Sequence, residues 1–547
     1  MKNTSILLLL VILTFAACDS GKVKQEETKE KDIVESLIDN EKYVQVTLSS
    51  DLSKLEEYER AMIPHLISAA KIMDDLFWIQ AFGDKEALLS GLSEEERKFA
   101  IINYGPWDRL AGDRPFLPSF GEKSPGANIY PAEVTKAEIV ASGIDSFGQY
   151  SMVRRDSANK LYTIPYHEMF GEKLAIAAFH LVEASKICEE PSLKKYLELR
   201  ATALLTDNYT ESDIAWLKMK DNGIDCIIGP IENYEDKIYN ARNSYESYVL
   251  IKDKEWSKSL EKFAAFLPEL QASLPVPEEY KTESPGTESQ LNAYDVVYYA
   301  GDCNAGSKTI AVNLPNDENL QTTYGTRRSQ LKNAMKAKFD HILVPIADVL
   351  IHPDQRKHIT FDAFFSNTMF HEVAHGLGVK YLVGQKDKKV KEALQEQYSP
   401  LEEGKADILG LYMVTYLREN GHLEEGELMD NYVTFLASIF RSVRFGASSA
   451  HGKANMVRFN YFREKGAFIY ENGFYSVDMQ KMQEAMNGLS ALIIKLQGDG
   501  DKKGVEELMA EKGMVTKDLQ SDLDRLHDEG IPVDVVFDQG LKALGYE

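Results

Sequence analysis

The sequence predicts a mainly α-helical protein with a small β component. Three observations carry this reading. Apolar residues recur at helical spacing through most of the chain, runs with strand character are few and short, and the composition is that of a folded globular protein. The first helical pattern covers 52–78, with Leu55, Tyr58, Met62, Leu66, Ala69, Ala70, Met73, Leu76 and Phe77 on one face. Similar patterns run over 169–187, 193–205, 256–267 and 329–351. Further ones run over 361–381, 402–420, 428–445, 479–496 and 519–527. The strand candidates lie between 292 and 315, where AYDVVYY and TIAVNL flank a turn-rich GDCNAGS, and at 225–228 before Gly229-Pro230.

The chain has 547 residues and a formal charge of −24. That length suggests two to four domains. The Gly/Pro-rich stretches at 105–126 and 275–286 read as loops or boundaries. A pI near 5.0 excludes a general nucleic-acid binder, because such a surface repels phosphate. Four cysteines are too few for a disulfide scaffold, and Cys188, Cys226 and Cys303 read as buried small side chains. There is no internal repeat, no phosphate-binding loop and no G-x-S-x-G nucleophile elbow.

The amino terminus reads as an address. Lys2 precedes an apolar stretch from Ile6 to Ala17, too short for a permanent membrane span but suited to a secretory signal. Ala16 and Ala17 directly precede Cys18. That arrangement is similar to the lipobox of bacterial lipoproteins. It predicts a signal peptide at 1–17, a lipidated Cys18 and a polar tether to residue 34. The expected location is the cell envelope, with the membrane engaged only through the anchor.

One segment carries metal chemistry. Residues 371–375 read His-Glu-Val-Ala-His. Residues four apart on a helix share a face, so His371 and His375 can offer two imidazoles to one zinc ion, with Glu372 beside them as general base. Phe364, Phe365, Met369, Phe370 and Leu377 make this helix apolar on most faces, hence buried. Burying two histidines and a glutamate there is costly unless something satisfies them, and a metal would. A third ligand is needed. Ser399, Pro400 and Glu402 read as N-cap, first helical position and capping-box acid. Glu403 is then the better ligand candidate, with Glu392 and Glu396 as alternatives in a polar stretch that also reads as a solvated face. Asp407 shares the face of Glu403 and can hold the second ring nitrogen of a ligand histidine.

HEVAH followed by EEGKAD resembles the paired motifs of the dipeptidyl peptidase III metallopeptidases. Most members carry one extra residue in the first motif, and the second has arginine where this chain has Lys405. The resemblance implies one Zn2+ per chain held by His371, His375 and Glu403, with Glu372 as base. AHGKANM places His451 where the family has a histidine that supports the transition state. AVNLPN resembles the family's substrate strand, which makes Asn313 and Asn316 holders of the peptide's amino terminus. IDCIIGPIENYED resembles another segment, with Asp225 facing the substrate amine and Ile227 standing where the longer enzymes carry a stabilising tyrosine. NYGPWDRLAGDRPF and LLTDNY…SDIAWL are similar to a shorter subgroup, some of whose members are fused to Nudix domains. No Nudix motif is present in this chain.

What the resemblance implies is a two-lobed fold around a cleft. Residues 35–325 would form mainly the substrate lobe with its β core, and 326–547 mainly the helical zinc lobe, with interleaved boundaries. The implied activity is zinc-dependent release of dipeptides from short peptides with a free amino terminus. Two alternatives stay open: a peptide-binding zinc protein with little or no turnover, favoured by Ile227, and another zinc hydrolase such as an aminopeptidase.

Overall fold

The computed structural model describes residues 37–285, 289–424, 426–444, 446–447 and 449–546. Cys18, the expected leader and the expected tether lie outside the described residues. The described chain is mainly helical with one five-stranded sheet and several two-stranded ones. Among the described residues, no helix is long and apolar enough to cross a membrane.

The elements that build the site are β1 (Tyr43–Thr47), α1 (Glu57–Ala81), α2 (Gly171–Ile187), α3 (Pro191–Leu204), β2 (Ile224–Glu232), β3 (Ser244–Asp253), β4 (Ser289–Gly301), β5 (Ala311–Leu314) and β6 (Thr326–Leu331). They continue with α4 (Phe361–Ala374), α5 (Tyr398–Glu419), α6 (Leu428–Val443), α7 (Ala450–Glu464), α8 (Met479–Asp499) and β7 (Asp534–Asp538).

The main sheet has the order β2-β3-β4-β6-β5. β4 and β6 run parallel and the other neighbours antiparallel. Helix α1 packs across β3 and β4 and also against α2. Its Met62, Ile63, Leu66, Met73 and Leu76 are fully buried, which satisfies the periodicity read from 52–78. β3 was not foreseen. Its first eight residues are all buried, so both faces are covered and no period-two alternation marks it. The start of the helix expected over 329–351 is also corrected. Residues 326–331 are β6, paired on both sides, and helix begins at Lys332. The expected boundary at 325 therefore falls between two strands of one sheet. β7 in turn pairs in parallel with β1, joining the two ends of the described chain.

The helical lobe is built on the crossing of α4 and α5, with α6 against α4 and α7 and α8 against α5. A Cβ on Gly410 of α5 would lie 2.7 Å from the backbone nitrogen of His371 and 2.9 Å from the carbonyl carbon of Phe370. Only a glycine lets the two backbones approach this closely. Gly410, three residues after the second motif, thus packs on the backbone where the first motif begins. Cys188, Cys226 and Cys303 are buried free thiols.

Candidate metal centre and cleft

α4 carries His371 and Glu372 in its last turn, and His375 stands just after it, still in a helical conformation. The helix stops here rather than at 381. Their side chains meet α5, where Glu402, Glu403 and Asp407 face them. One candidate ligand atom from each of His371, His375 and Glu403 lies within 4.8 Å of the others.

Each histidine is held by its Nδ1. His371 Nδ1 is 2.7 Å from Asp407 Oδ1, and His375 Nδ1 is 3.0 Å from Glu402 Oε1. Both rings therefore turn Nε2 toward the same atom, Glu403 Oε2, at 3.4 and 3.9 Å. That oxygen is buried and has no hydrogen-bond partner. Two imidazole lone pairs and one orphaned carboxylate oxygen converge, which is the donor set a zinc ion takes. The residues present fit the metal.

The electrostatics agree. Burial pushes the Glu402 carboxyl upward, but Lys405 and His375 outweigh it and hold it well below the carboxylate range. For Asp407 burial is likewise outweighed, by Arg458 and His371. Glu403 is also lowered against its burial, by His371, His451 and His375. Lys405 and Arg458 offset Glu402 and Asp407, which leaves the ionised Glu403 carboxylate to attract a cation between the two rings.

Here the capping-box reading is overturned. Helix α5 begins at Tyr398 with Gln397 as a cap that makes no side-chain bond. Glu402 sits in its second turn, where it takes His375, Lys405 at 2.7 Å and Gln497 at 2.9 Å. Lys405 is itself buried and donates to the Leu377 carbonyl at 2.8 Å. The alternative ligand Glu396 pairs with Lys502 on the surface instead. Another group, His358, Glu427 and Asp430, also lies close enough for a metal. Its Glu427 and Asp430 form the capping box of α6, which accounts for their approach.

The centre opens into a cleft of about 860 Å³. His371, Glu372, His375, Glu403 and His451 line its helical side, and Asn313, Asn316 and Arg328 line its sheet side. His451, in the first turn of α7, is exposed and has Nδ1 3.4 Å from Glu403 Oε2. Asn313 is exposed on β5, an edge strand of the main sheet. Asn316 donates from Nδ2 to the Ile231 carbonyl at 3.1 Å, tying the end of β5 to β2.

Two expectations about β2 are corrected. Asp225 does not reach the cleft. It is completely buried and spends its carboxylate on Arg327 at 3.1 Å, Trp216 Nε1 at 2.9 Å and Tyr294 Oη at 3.0 Å. A buried carboxylate needs such partners, and nothing is left over for a substrate. Ile227 is also buried and away from this cleft. The acid and the tyrosine that do line it are Glu232 and Tyr234, later in the same IENYED stretch. The spacing of an acid and a tyrosine two apart at a strand end was the signal available.

Glu246 and Asp302 were also missed. Each has a buried carboxylate oxygen without a partner. Burial raises Glu232. Burial, then Glu232 and Asp302, raise Glu246 well above the usual range. Burial, then Glu235, push Asp302 up to about 7.

Comparison with known proteins gives a consistent picture. The family model of peptidase family M49 matches residues 140–418. Nudix hydrolase 3 of Arabidopsis thaliana is 34% identical over 562 residues, which span 90% of this chain and 72% of that protein. Dipeptidyl peptidase 3 of Rattus norvegicus is 26% identical over 124 residues, 23% of this chain and 16% of that one. Among solved structures, DPP III from Caldithrix abyssi superposes with a TM-score of 0.88 at 35% identity, covering 93% of this chain and 99% of that one. Dipeptidyl-peptidase III from Corallococcus sp. strain EGB gives 0.78 at 36% identity, covering 92% and 96%.

Proposed function

From its membership of peptidase family M49, to which the chain belongs, we propose that it is a zinc-dependent exopeptidase releasing dipeptides from the amino terminus of short peptides. The observation that carries the zinc reading is the orphaned Glu403 Oε2, faced by the Nε2 atoms of His371 and His375. His371, His375 and Glu403 would hold one Zn2+ per chain, and Asp407 and Glu402 would orient the two rings. Bound zinc supplies Lewis acidity, activating water and polarising the scissile carbonyl.

Glu372 takes a proton from the attacking water and returns it to the leaving amine. His451 and Tyr234, which line the same cleft, donate to the developing oxyanion. The peptide adds as a strand beside β5, so backbone groups supply much of the binding and sequence preference stays broad. Asn313, Asn316 and the carboxylate of Glu232 receive its free ammonium group. Tyr234 in the cleft supports turnover over the binding-only reading that Ile227 favours.

Digestion of a peptide library, with and without a chelator, tests this by mass spectrometry. Amino-terminal dipeptides that vanish with the chelator are expected. Single residues would point to an aminopeptidase, and no products to a binding protein. We also propose that Cys18 is lipidated and tethers the chain in the cell envelope, since Ala16-Ala17-Cys18 ends the apolar leader. Metabolic labelling with a fatty acid should mark the protein, and Cys18→Ser should abolish it.

A further inference from the structure

We propose that Arg328 recognises the free C-terminal carboxylate of a short peptide substrate, making the enzyme selective for peptides with both ends unblocked. The proposal rests on the dipeptidyl-peptidase reading and names the substrate class more narrowly.

Arg328 lies in β6 directly opposite Asn313 of the edge strand. Successive strand residues point to opposite faces, and the two neighbouring arginines show it. Arg327 points inward, where its two terminal nitrogens bond Asp225, the Met219 carbonyl and Gln290 and its plane lies over Trp216. Arg328 points into the cleft, beside His371, Glu372 and Glu403. Its side chain is only 14% exposed, and its Nε has no hydrogen-bond partner. The carboxylate of Glu372 approaches that Nε to 3.8 Å, too far for a hydrogen bond.

An arginine does not shed its charge in a protein, and this mostly buried guanidinium has the Glu372 carboxylate at ion-pair distance but no bidentate hydrogen-bonded partner. Of the nearby acids only Glu372 comes within ion-pair distance, and it makes no hydrogen bond to Arg328. Glu402 holds His375 and Lys405, Glu403 faces the metal set, and Glu372 must stay free to accept a proton. A carboxylate arriving with the substrate matches the guanidinium fork in two parallel bonds.

The charge layout of the cleft supports the same ligand. Glu232, Glu246 and Asp302 repel one another as a group. Arg328 stands apart from that set, among Glu372, Glu402 and Glu403. The cleft therefore has one acidic set without a cation and one arginine beside the metal-site carboxylates. A short peptide with free termini carries the complementary pair, an ammonium and a carboxylate. A C-terminal amide keeps the first and loses the second.

The test uses the zinc-loaded enzyme and tri-, tetra- and pentapeptides prepared as paired acids and amides. In the wild type, kcat/KM should favour the acid over the amide by roughly 10- to 100-fold at one length or more, as expected for a charge-assisted bidentate contact. Arg328→Gln should bring that ratio to about one, and Arg328→Lys should restore part of it. The ratio is internal to each preparation, so a partly unfolded variant does not distort it. A wild-type ratio near one at every length overturns the proposal and needs no variant. So does a preference that persists in Arg328→Gln. Dipeptides released from acids and amides at equal rates would leave the peptidase reading intact while refuting this one. No dipeptides from either set would overturn both.

Discussion

Glu372 stands one residue from His371 yet has no part in the ligand set, so its role separates cleanly from metal binding. Glu372→Ala should keep zinc near one per chain and abolish dipeptide release; metal analysis beside a rate assay checks both, and retained hydrolysis would sink the mechanism. Glu402→Ala removes the acceptor that turns His375, and should weaken zinc binding about 10- to 100-fold in a competition titration. Asp302 supplies a pH test. Its carboxyl rises from 3.8 to about 7 on folding, mainly through burial and then through Glu235. The folded state thus binds more protons than the unfolded chain between those values, and stability falls as pH rises through that window. Asp302→Asn should raise Tm at pH 8, with the gain vanishing toward pH 4. The residues that sequence reading reached were those whose geometry is local. His371, Glu372 and His375 share one helical turn, so their spacing alone puts them together. Glu402 was misread because its partner His375 lies 27 residues away and Gln497 lies 95 away. Asp225 was misread because its buried partner Arg327 is 102 residues distant, and a lone acid in a strand says nothing of which face it takes.

At the scale of elements, the decisive contact is backbone against backbone. Gly410 lets α5 touch α4 at His371, where a side chain would hold the two motif helices apart. The clash in Gly410→Ala would be with main-chain atoms of a packed helix, which cannot rotate away. That variant should lose about 1–3 kcal/mol of stability and bind zinc more weakly, although it touches no ligand side chain. Thermal unfolding and zinc titration check this; unchanged zinc affinity would mean that the helices part without moving the ligands. Helices were legible because amphipathic periodicity survives burial on one face, as in α1. The sheet was legible only in part. β4 and β5 were found through their flanking turn, whereas β3 is covered on both faces and β6 (TRRSQL) carries almost no apolar residue, so neither shows an apolar alternation to read.

For the whole molecule, the chain joins a sheet and a helical layer around one cleft, and the charge of the protein bears on what enters it. The net charge is −24, and the cleft itself presents Glu232, Glu246, Asp302 and Glu372. A field of that sign raises the local concentration of cationic peptides and speeds their encounter. Peptides carrying a positive net charge should therefore show kcat/KM that falls steeply as ionic strength rises from about 0.01 to 0.5 M, while zwitterions of net charge zero change little. The comparison matters more than either slope, because salt acts on the stability of the protein equally in both assays. Removing one carboxylate of the acidic set in Glu232→Gln should flatten the slope for cationic peptides only slightly, since one charge among the whole surface excess sets little of the long-range field. It should instead raise KM for every peptide with a free amino terminus. If the slope collapsed in that single variant, attraction would reside in the local contact and not in the field of the molecule. Equal salt dependence for cationic and neutral peptides would remove the steering role from the acidic surface altogether.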